Sequence, residues 1–573
     1  MASGTMFLML LACLWATAAA ESGDGGRTVP TTGGDVRGTV QYIKDLPDKP
    51  IYTFLGIPYA APPVGNLRFR APQPAVPWEG AIDATKPGPY CPQGPLIFQL
   101  FPFKFHHYDF DEDCLTLNIE TPTVEKDAEL PVMLWIHGGG LSMGFGYVVP
   151  FAAMVAQQDV VVVTINYRLG ALGFLSTGDE NAPGNVGFMD QVQAMAWVQE
   201  NIRNFGGDPD RVTIFGESAG GLSVGYQVVS PLGKGLFRRA ISQSGTSFTM
   251  EVEEKPLELA AILADEVGCE SKDTAILVHC LRQKTTEEVV QGAERMMKLG
   301  SGEWGKYFAP VFNEDFLPEH PKDLYSRGQA NDVDYLLGVN NNEFGFVMPS
   351  MMSANFGQKG MTEDTFILEL EQLIERIYPG TKKDSIIAAA RKVYRDHDNP
   401  DDPIAVQHQY TLFAGDQLFV APTVETAGKH AESGSKVYLY EVHYAPSSHA
   451  AGRPKWVRCD HGDDLPSMSG WPFLDIHLAA GGVLPFSSED RQFSRDIMTY
   501  WANFARTGDP SDPTGGPAGS PAVPEWPQYT PGNPTYMKLG LTSSSDVGLY
   551  PERMALWNDV IPKLVASSDK EEL

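Results

Sequence analysis

The stretch RVTIFGESAGGLSVG, Arg211 to Gly225, joins an apolar run to a glycine-rich turn and a helix-like segment. The apolar run RVTIF predicts a buried strand, and the residues from Ala219 onward indicate a helix. Two overlapping G-x-S-x-G patterns, centred on Ser218 and Ser223, fall in this stretch. Only Ser218 lies on the strand-to-helix turn, where a serine hydroxyl is exposed for attack. We therefore predict Ser218 as a nucleophile and Ser223 as a packed helix residue bonded to a nearby carbonyl.

The flanking sequence repeats this order of elements. Residues 131–136 (PVMLWI) and 160–165 (VVVVTI) are continuous apolar runs, which are typical of strands covered on both faces. Residues 189–205 show helical periodicity between the second of these strands and RVTIF. Alternating strands and helices predict an α/β fold with a mostly parallel sheet. Further elements are expected as strands at 334–339 and 436–444, a helix at 489–506 and an extended loop at 508–534.

A third G-x-S-x-G pattern surrounds Ser142, directly after the glycines at positions 138 to 140. These glycines follow strand PVMLWI, which is the sequence context of a loop whose backbone N–H groups stabilise an oxyanion. We interpret Ser142 as part of this loop and not as a nucleophile.

A serine nucleophile needs a general base and an acid that orients the base, in the chain order serine, acid, histidine for this arrangement. Among the later histidines, His461 lies in the turn-rich segment CDHGDD. Many acidic residues lie between Ser218 and His461, and their spacing does not select one. Glu343 is the best candidate because it closely follows the strand predicted at 334–339, at the sheet edge where α/β proteins build their sites.

Composition limits the class of protein. The chain has 573 residues and a formal net charge of -29, without a basic stripe, which argues against nucleic acid as a partner. Residues 1–20 contain a short apolar run followed by small residues, and we interpret them as a secretory signal, with a buried N-terminal helix as the alternative. No longer apolar run predicts a membrane span. We found no repeat or linker that divides the rest, so residues 21–566 are expected to form one domain.

The cysteines and the C-terminus agree with a secretory protein. The short separations favour disulfides between Cys91 and Cys114 and between Cys269 and Cys280, which leaves Cys459 without an assigned role. Metal binding is the alternative for these cysteines, but no CxxC or Cys/His spacing supports it. The tail at 567–573 ends in KEEL, which is similar to a KDEL-type retrieval signal, and the alternative is an acidic tail without a signal, in which case the protein is secreted.

The chain resembles the type B, cholinesterase-like carboxylesterases, and the vertebrate liver and intestinal carboxylesterases in particular. The matching stretches span about residues 50 to 510 and are FLGIPYAAPPVGNLRFR, EDCLTLNI, LPVMLWIHGGG, VVVTINYRLGALGFLSTGD, FGGDPDRVTIFGESAGG, HCLRQKT, GVNNNEFGF, DHGDDL and YWANFARTGDP.

This resemblance implies an α/β-hydrolase fold with long insertions and a serine esterase that cleaves xenobiotic or lipid-type carboxylic esters without a metal or other cofactor. It implies Ser218 as nucleophile, Glu343 as acid and His461 as base. The oxyanion donors it implies are the N–H groups of Gly139, Gly140 and Ala219. It also implies both disulfides, and retention in the endoplasmic reticulum lumen through recognition of the KEEL tail by a KDEL-type receptor.

One departure from the family bears on the substrate. Cholinesterases carry a tryptophan in the first disulfide loop, where it binds a quaternary ammonium. The loop between Cys91 and Cys114 has several phenylalanines and no tryptophan, which argues against choline esters. Two alternatives to an esterase stay open at this point, a non-catalytic adhesion or scaffold protein of the same family and a lipase of the same fold.

Overall fold

The structure is a computed structural model that describes residues 13–14, 26–94, 109–297, 306–353, 355–357, 359–381, 383–396, 398–449, 453–478 and 483–568. Its centre is a sheet of eleven strands. In chain order these are β1 Thr39–Ile43, β2 Leu46–Pro58, β3 Thr116–Thr121, β4 Leu130–Ile136, β5 Val161–Ile165, β6 Gly207–Glu217, β7 Arg239–Gln243, β8 Asp334–Asn340, β9 Val437–Val442, β10 Thr535–Leu539 and β11 Ser544–Val547.

The strand order across the sheet is β11-β10-β9-β8-β7-β6-β4-β5-β3-β2-β1. Strands β4 to β10 run parallel to one another. Each strand outside this block is antiparallel to the strands it pairs with. Strand β6, which contains RVTIF, pairs with β4 on one side and β7 on the other. The predicted α/β fold with a mostly parallel sheet is confirmed.

Helices surround the sheet. They are α1 Ala152–Gln158, α2 Gly170–Phe174, α3 Val186–Asn201, α4 Ala219–Val229, α5 Pro256–Glu266, α6 Thr274–Gln283, α7 Thr286–Met297, α8 Pro321–Ser326, α9 Val347–Met352, α10 Glu363–Ile377, α11 Lys383–Tyr394, α12 Pro403–Gly415, α13 Ala421–Glu432, α14 Leu465–Ser469, α15 Ser488–Thr507, α16 Pro551–Ala555 and α17 Ile561–Ser568. Smaller ladders join Thr28–Pro30, Asp35–Arg37 and Ala81–Asp83, Ser176–Asp179 with Ala182–Pro183, and Cys13–Leu14 with His477–Leu478. None of the helices in the described ranges is both long and apolar enough to cross a membrane.

The central strands bury side chains on both faces. In β4, Val132, Leu134 and Ile136 belong to a core that includes residues of α3 and α4. The alternate residues Met133 and Trp135 belong to a second core, which contains residues of α1 and α15. This alternation follows from the two-residue period of a strand, and it explains why the runs are apolar throughout.

The turn between β6 and α4 is packed against the backbones of its neighbours. A Cβ atom on Gly220 would collide with the carbonyl oxygen of Ile136, the last residue of β4. A Cβ atom on Gly221 would lie 2.7 Å from the carbonyl oxygen of Gln243 in β7. The glycines after Ser218 are therefore needed so that α4 can begin directly above the two strands that flank β6.

Both cysteine pairs form disulfides in the structure, Cys91 with Cys114 and Cys269 with Cys280. Cys459 is a buried free thiol, and its Sγ lies 3.4 Å from the carbonyl oxygen of Tyr444. Of the expected signal at 1–20, only residues 13–14 lie in the described ranges, and the KEEL tail lies outside them.

A methyl group at position 220 should damage this packing. We expect Gly220→Ala to lower the free energy of unfolding by about 2 kcal/mol or more. The atom that the new methyl group meets is the backbone carbonyl oxygen of Ile136, which cannot move without displacing strand β4. Gly532→Ala is the matched control, since a Cβ atom there meets no atom within 4 Å. Urea denaturation of both variants measures the difference, and equal stabilities would contradict the close approach.

Candidate active site

Ser218 occupies a strained backbone conformation at the turn between β6 and α4. Its φ is 59° and its ψ is -124°, values that a residue with a side chain rarely adopts. Two backbone hydrogen bonds hold it, since Ser218 N donates to Gln243 O at 2.9 Å and Leu222 N donates to Ser218 O at 2.9 Å. Strain of this kind persists where the surroundings fix the backbone, and it occurs mainly at functional sites.

The other two serines have local hydrogen bonds. Ser223 is buried in α4, donates to Ala219 O at 2.8 Å and accepts a hydrogen bond from Gln191 Nε2 at 3.1 Å. Ser142 is half-buried and donates to Gly140 O at 3.1 Å. Ser223 therefore has the packed position that its place in the helix predicts.

The glycine loop after β4 lies against Ser218. A Cβ atom on Gly138 would lie 3.1 Å from Cβ of Ser218 and 2.6 Å from the carbonyl oxygen of Glu217. Gly139 and Gly140 have φ values of 110° and 61°, which favour glycine. The structure therefore brings the predicted oxyanion loop, Ser218 and the start of α4 at Ala219 to one place.

His137 supports this loop as a neutral side chain. Its ring is buried and stacks on Tyr167, with ring centroids 4.4 Å apart. Burial lowers the pKa of His137 to about 4, so the imidazole is neutral at physiological pH. Because the Gly138 carbonyl lies 2.8 Å from Nδ1, that nitrogen carries the proton and donates it.

His461 and Glu343 lie in direct contact. Nδ1 of His461 is 2.7 Å from Oε2 of Glu343. The other oxygen of Glu343 accepts hydrogen bonds from Ser244 Oγ at 2.6 Å and Asn340 N at 2.5 Å. Glu343 is buried just beyond β8, at the carboxyl edge of the sheet. The carboxylate is thus fixed in place and holds the Nδ1 proton of the imidazole, which leaves Nε2 free to take up another.

The second imidazole nitrogen faces the residue that precedes Ser218. Nε2 of His461 lies 3.3 Å from Oε1 of Glu217. Burial raises the pKa of Glu217 to about 8; the charge of His461 opposes this shift, and the charges of Asp464 and Glu343 add to it. Glu217 was not selected by sequence reasoning, although it occupies the variable position next to the serine in the G-x-S-x-G pattern.

The carboxylates around His461 outweigh its burial. Burial alone would lower the pKa of His461, but Glu217, the hydrogen bond and charge of Glu343, and Asp460 together raise it to about 9. The imidazole therefore holds its proton more strongly than an isolated histidine, whose pKa is near 6.5. The site is arranged to stabilise an imidazolium.

Asp460 ties the His461 loop to the Glu343 loop. Its carboxylate accepts hydrogen bonds from the backbone N–H groups of Gly345, Phe346, Val347 and His461, at distances of 2.9 to 3.1 Å. Asn341 and Asn342 accept hydrogen bonds from Cys459 N and Arg458 N at 3.0 and 3.1 Å. Sequence reasoning missed these contacts because asparagine and aspartate in a loop are equally typical of ordinary turns.

The charge of Glu217 can be tested through the titration of His461. We expect Glu217→Gln to lower the pKa of His461 by about one unit or more, because an opposing charge in contact with the imidazolium is lost. The pH dependence of the His461 Hε1 resonance measures this shift. Glu441→Gln is the matched control, since Glu441 is a buried carboxylate that contacts His443. An unchanged titration in Glu217→Gln would contradict the contact.

Comparison with known proteins identifies the family of this chain. The model of the carboxylesterase family matches residues 26–557. The chain is similar to "Liver carboxylesterase B-1" of Rattus norvegicus, with 40% identity over 95% of this chain and 96% of that protein. It is 38% identical to "Liver carboxylesterase" of Sus scrofa, over 94% of each chain. It is also 38% identical to "Fatty acyl-CoA hydrolase precursor, medium chain" of Anas platyrhynchos, over 94% of this chain and 93% of that protein.

The family match covers most of the chain, and the glycine loop, the serine turn and the His461–Glu343 pair all lie inside it. This protein belongs to the carboxylesterase family.

Proposed function

We propose that this protein hydrolyses carboxylic esters through an acyl-enzyme formed on Ser218. The observation that carries the proposal is the position of the His461 imidazole, whose Nδ1 contacts Glu343 and whose Nε2 faces Glu217, the neighbour of Ser218. Family membership supports a catalytic protein over a scaffold, because the matched relatives are named as hydrolases and esterases.

In the first step, His461 takes the proton of Ser218, and the serine oxygen attacks the ester carbonyl. Glu343 keeps the imidazole oriented and stabilises its cation. The tetrahedral oxyanion accepts hydrogen bonds from the N–H groups of Gly139, Gly140 and Ala219, each donor contributing about 3 to 4 kcal/mol to the transition state. Loss of the alcohol, which takes the proton from His461, leaves an acyl group on Ser218.

In the second step, water replaces the alcohol. His461 takes a proton from water, the hydroxide oxygen attacks the acyl carbonyl, and the acid departs as the proton returns to Ser218. Because His461 begins each step neutral, the rate declines as the pH falls through its pKa. The carboxylates that raise this pKa place the decline above pH 6.5.

The charges at the site favour uncharged esters. Glu217, Glu343 and Asp460 contribute to the potential at His461, and the whole chain carries a formal charge of -29. Anionic substrates such as acyl-CoA thioesters share the carbonyl chemistry, but this field disfavours their approach. Choline esters are also disfavoured, because the first disulfide loop has no tryptophan to bind their cation. We therefore propose neutral carboxylic esters, of the xenobiotic or lipid type, as the substrate class.

Replacement of the nucleophile tests the proposal. We expect Ser218→Ala to abolish labelling by a fluorophosphonate probe and to lower kcat by about 10⁴-fold or more on dissolved short-chain esters. Ser223→Ala is the matched control, five residues further along in α4. It should keep labelling and most of the activity while it loses about 1 to 3 kcal/mol of stability, since it removes two buried hydrogen bonds.

Equal labelling of wild type and Ser218→Ala, or none of the wild type, would favour a scaffold. A panel of esters that varies the acyl and alcohol groups defines the substrate preference. A rate that rises sharply at micelle formation would favour a lipase.

We also propose that residues 1–20 direct the chain into the secretory pathway, that residues 21–566 form one domain, and that the KEEL tail retains the protein in the endoplasmic reticulum lumen. Support comes from the apolar N-terminal run, the sequence of the tail, and two disulfides, which are typical of an oxidising compartment.

Removal of the last four residues tests retention. We expect the truncated protein to appear in the medium of expressing cells, whereas the full chain stays inside, because a KDEL-type receptor no longer returns it. Immunoblots of cells and medium measure the distribution. Replacement of KEEL by KDEL is the control and should keep the protein inside, and full-length protein that accumulates in the medium would contradict the proposal.

A further inference from the structure

The structure contains a wide helical turn beside the candidate catalytic pair. Helix α12 passes into a π turn at Asp416–Val420 and continues as α13. A π turn inserts an extra residue into a helix and occurs often at functional sites. Sequence periodicity does not reveal it, and none of its residues takes part in the proposed ester hydrolysis.

One residue of this turn stacks on the general base. The ring of Phe419 lies parallel to the imidazole of His461, with an interplanar angle of 28° and centroids 4.4 Å apart. Phe419 is buried, so the stack excludes water from that face of the imidazole. The π face of an aromatic ring attracts a cation, and His461 becomes a cation in each catalytic step.

The same helix also packs against Glu343. A Cβ atom on Gly415, the last residue of α12, would lie 3.5 Å from Cβ of Glu343 and 3.2 Å from Phe344 N. The beginning of the π turn thus lies against the acid, and Phe419 lies against the base. The turn supports both members of the pair from outside the loops that contain them.

Residues of the C-terminal segment, together with Tyr394 of α11, hold the π turn. Arg553 in α16 donates to both oxygens of the fully buried Asp416, and Tyr394 donates to one of them. Trp557 donates to the Tyr394 hydroxyl at 2.9 Å, and Asn558 donates to the carbonyl of Ala421 at 3.2 Å. These contacts fix the first residue of the π turn and the residue that follows it.

We propose that Phe419 is a positioning residue for His461, and that the Arg553–Asp416 ion pair of the C-terminal region holds it in place. The inference rests on the proposed function, because it assigns His461 as the base. Phe419 keeps the imidazole plane aligned between Glu343 and the serine turn and stabilises the imidazolium through its ring face. A segment remote in sequence thereby contributes to the orientation of the catalytic base.

Replacement of the ring by a smaller aliphatic side chain tests the stack. We expect Phe419→Leu to lower kcat about fivefold, to change KM by less than about twofold, and to move the pKa of His461 downward by about half a unit. The charged groups that face His461 are Glu217, Glu343 and Asp460, and they are the same in both proteins, so the shift reports the lost ring. The measurements are the pH–rate profile and the titration of the His461 Hε1 resonance.

Two control variants separate positioning from general packing. Phe419→Tyr keeps the ring and should restore the wild-type pKa and kcat. Phe316→Leu removes a different buried phenylalanine, which stacks on Phe188, and should lower stability without moving the pKa of His461. An unchanged pKa and kcat in Phe419→Leu, a change confined to KM, or the same pKa shift in Phe316→Leu would overturn the proposal.

A double-mutant cycle tests whether the Arg553–Asp416 ion pair acts on His461 through Phe419. Arg553→Lys keeps the charge but loses the two-pronged contact with Asp416, so it should lower kcat in the wild type and have no further effect in Phe419→Leu. Additive effects of the two substitutions would overturn the link through Asp416. The NMR titration remains a test of the stack even if Ser218→Ala keeps its labelling, so failure of the esterase proposal is distinguishable from failure of this one.

Discussion

The close approach of helix α4 to the ends of β4 and β7 is the constraint on which the candidate site depends. The helix begins directly above the backbone of Ile136 and Gln243, and the residues that face these carbonyls are glycines. With the helix start fixed, Ser218 has no room for an ordinary strand or helix conformation and takes its strained φ and ψ. The parallel strand order then brings the loop after β4 to the same edge of the sheet as the serine turn.

The electrostatics of the site follow from how each buried carboxylate is satisfied. Glu343 accepts hydrogen bonds from Ser244 Oγ and Asn340 N in addition to the His461 contact. Asp464 accepts from Gln243 Nε2 at 2.5 Å and Asn340 Nδ2 at 3.2 Å. Glu217 Oε1 has no hydrogen-bond partner among the described residues, and burial raises its pKa to about 8. Among the carboxylates around His461, the charge of Glu217 makes the largest contribution that raises the pKa of the imidazole.

Sequence reasoning succeeded where a local pattern has a local physical cause. Long apolar runs predicted the central strands because a strand covered on both faces needs apolar residues at every position. The serine turn was recognisable because its glycines, its strand and its helix are contiguous. The choice of Glu343 among many acids could not follow from spacing alone, since it depends on how far β8 extends beside β7. Its place just after the predicted strand at 334–339 made Glu343 the best candidate, and the resemblance to a family selected the same residue.

The contacts that sequence reasoning missed are those between distant segments. Glu217 contacts a histidine in another loop, Asp460 binds the backbone of the segment after Glu343, and the π turn is held by an arginine 137 residues further along the chain. Each of these residues is of a type that is common on protein surfaces, so nothing in its local sequence distinguishes it.

The candidate acid–base pair joins segments 118 residues apart, and it needs more than apolar packing to hold its geometry. Apolar contacts are non-directional, so they place a loop without fixing the plane of a ring. Directional hydrogen bonds supply that precision here, since Asn341, Asn342 and Asp460 bind backbone N–H groups across the two loops. The Phe419 ring, which stacks on the imidazole, then restricts tilting of the imidazole out of its plane. The loops can therefore differ in length and surface sequence while the base keeps its orientation, because these few contacts determine it.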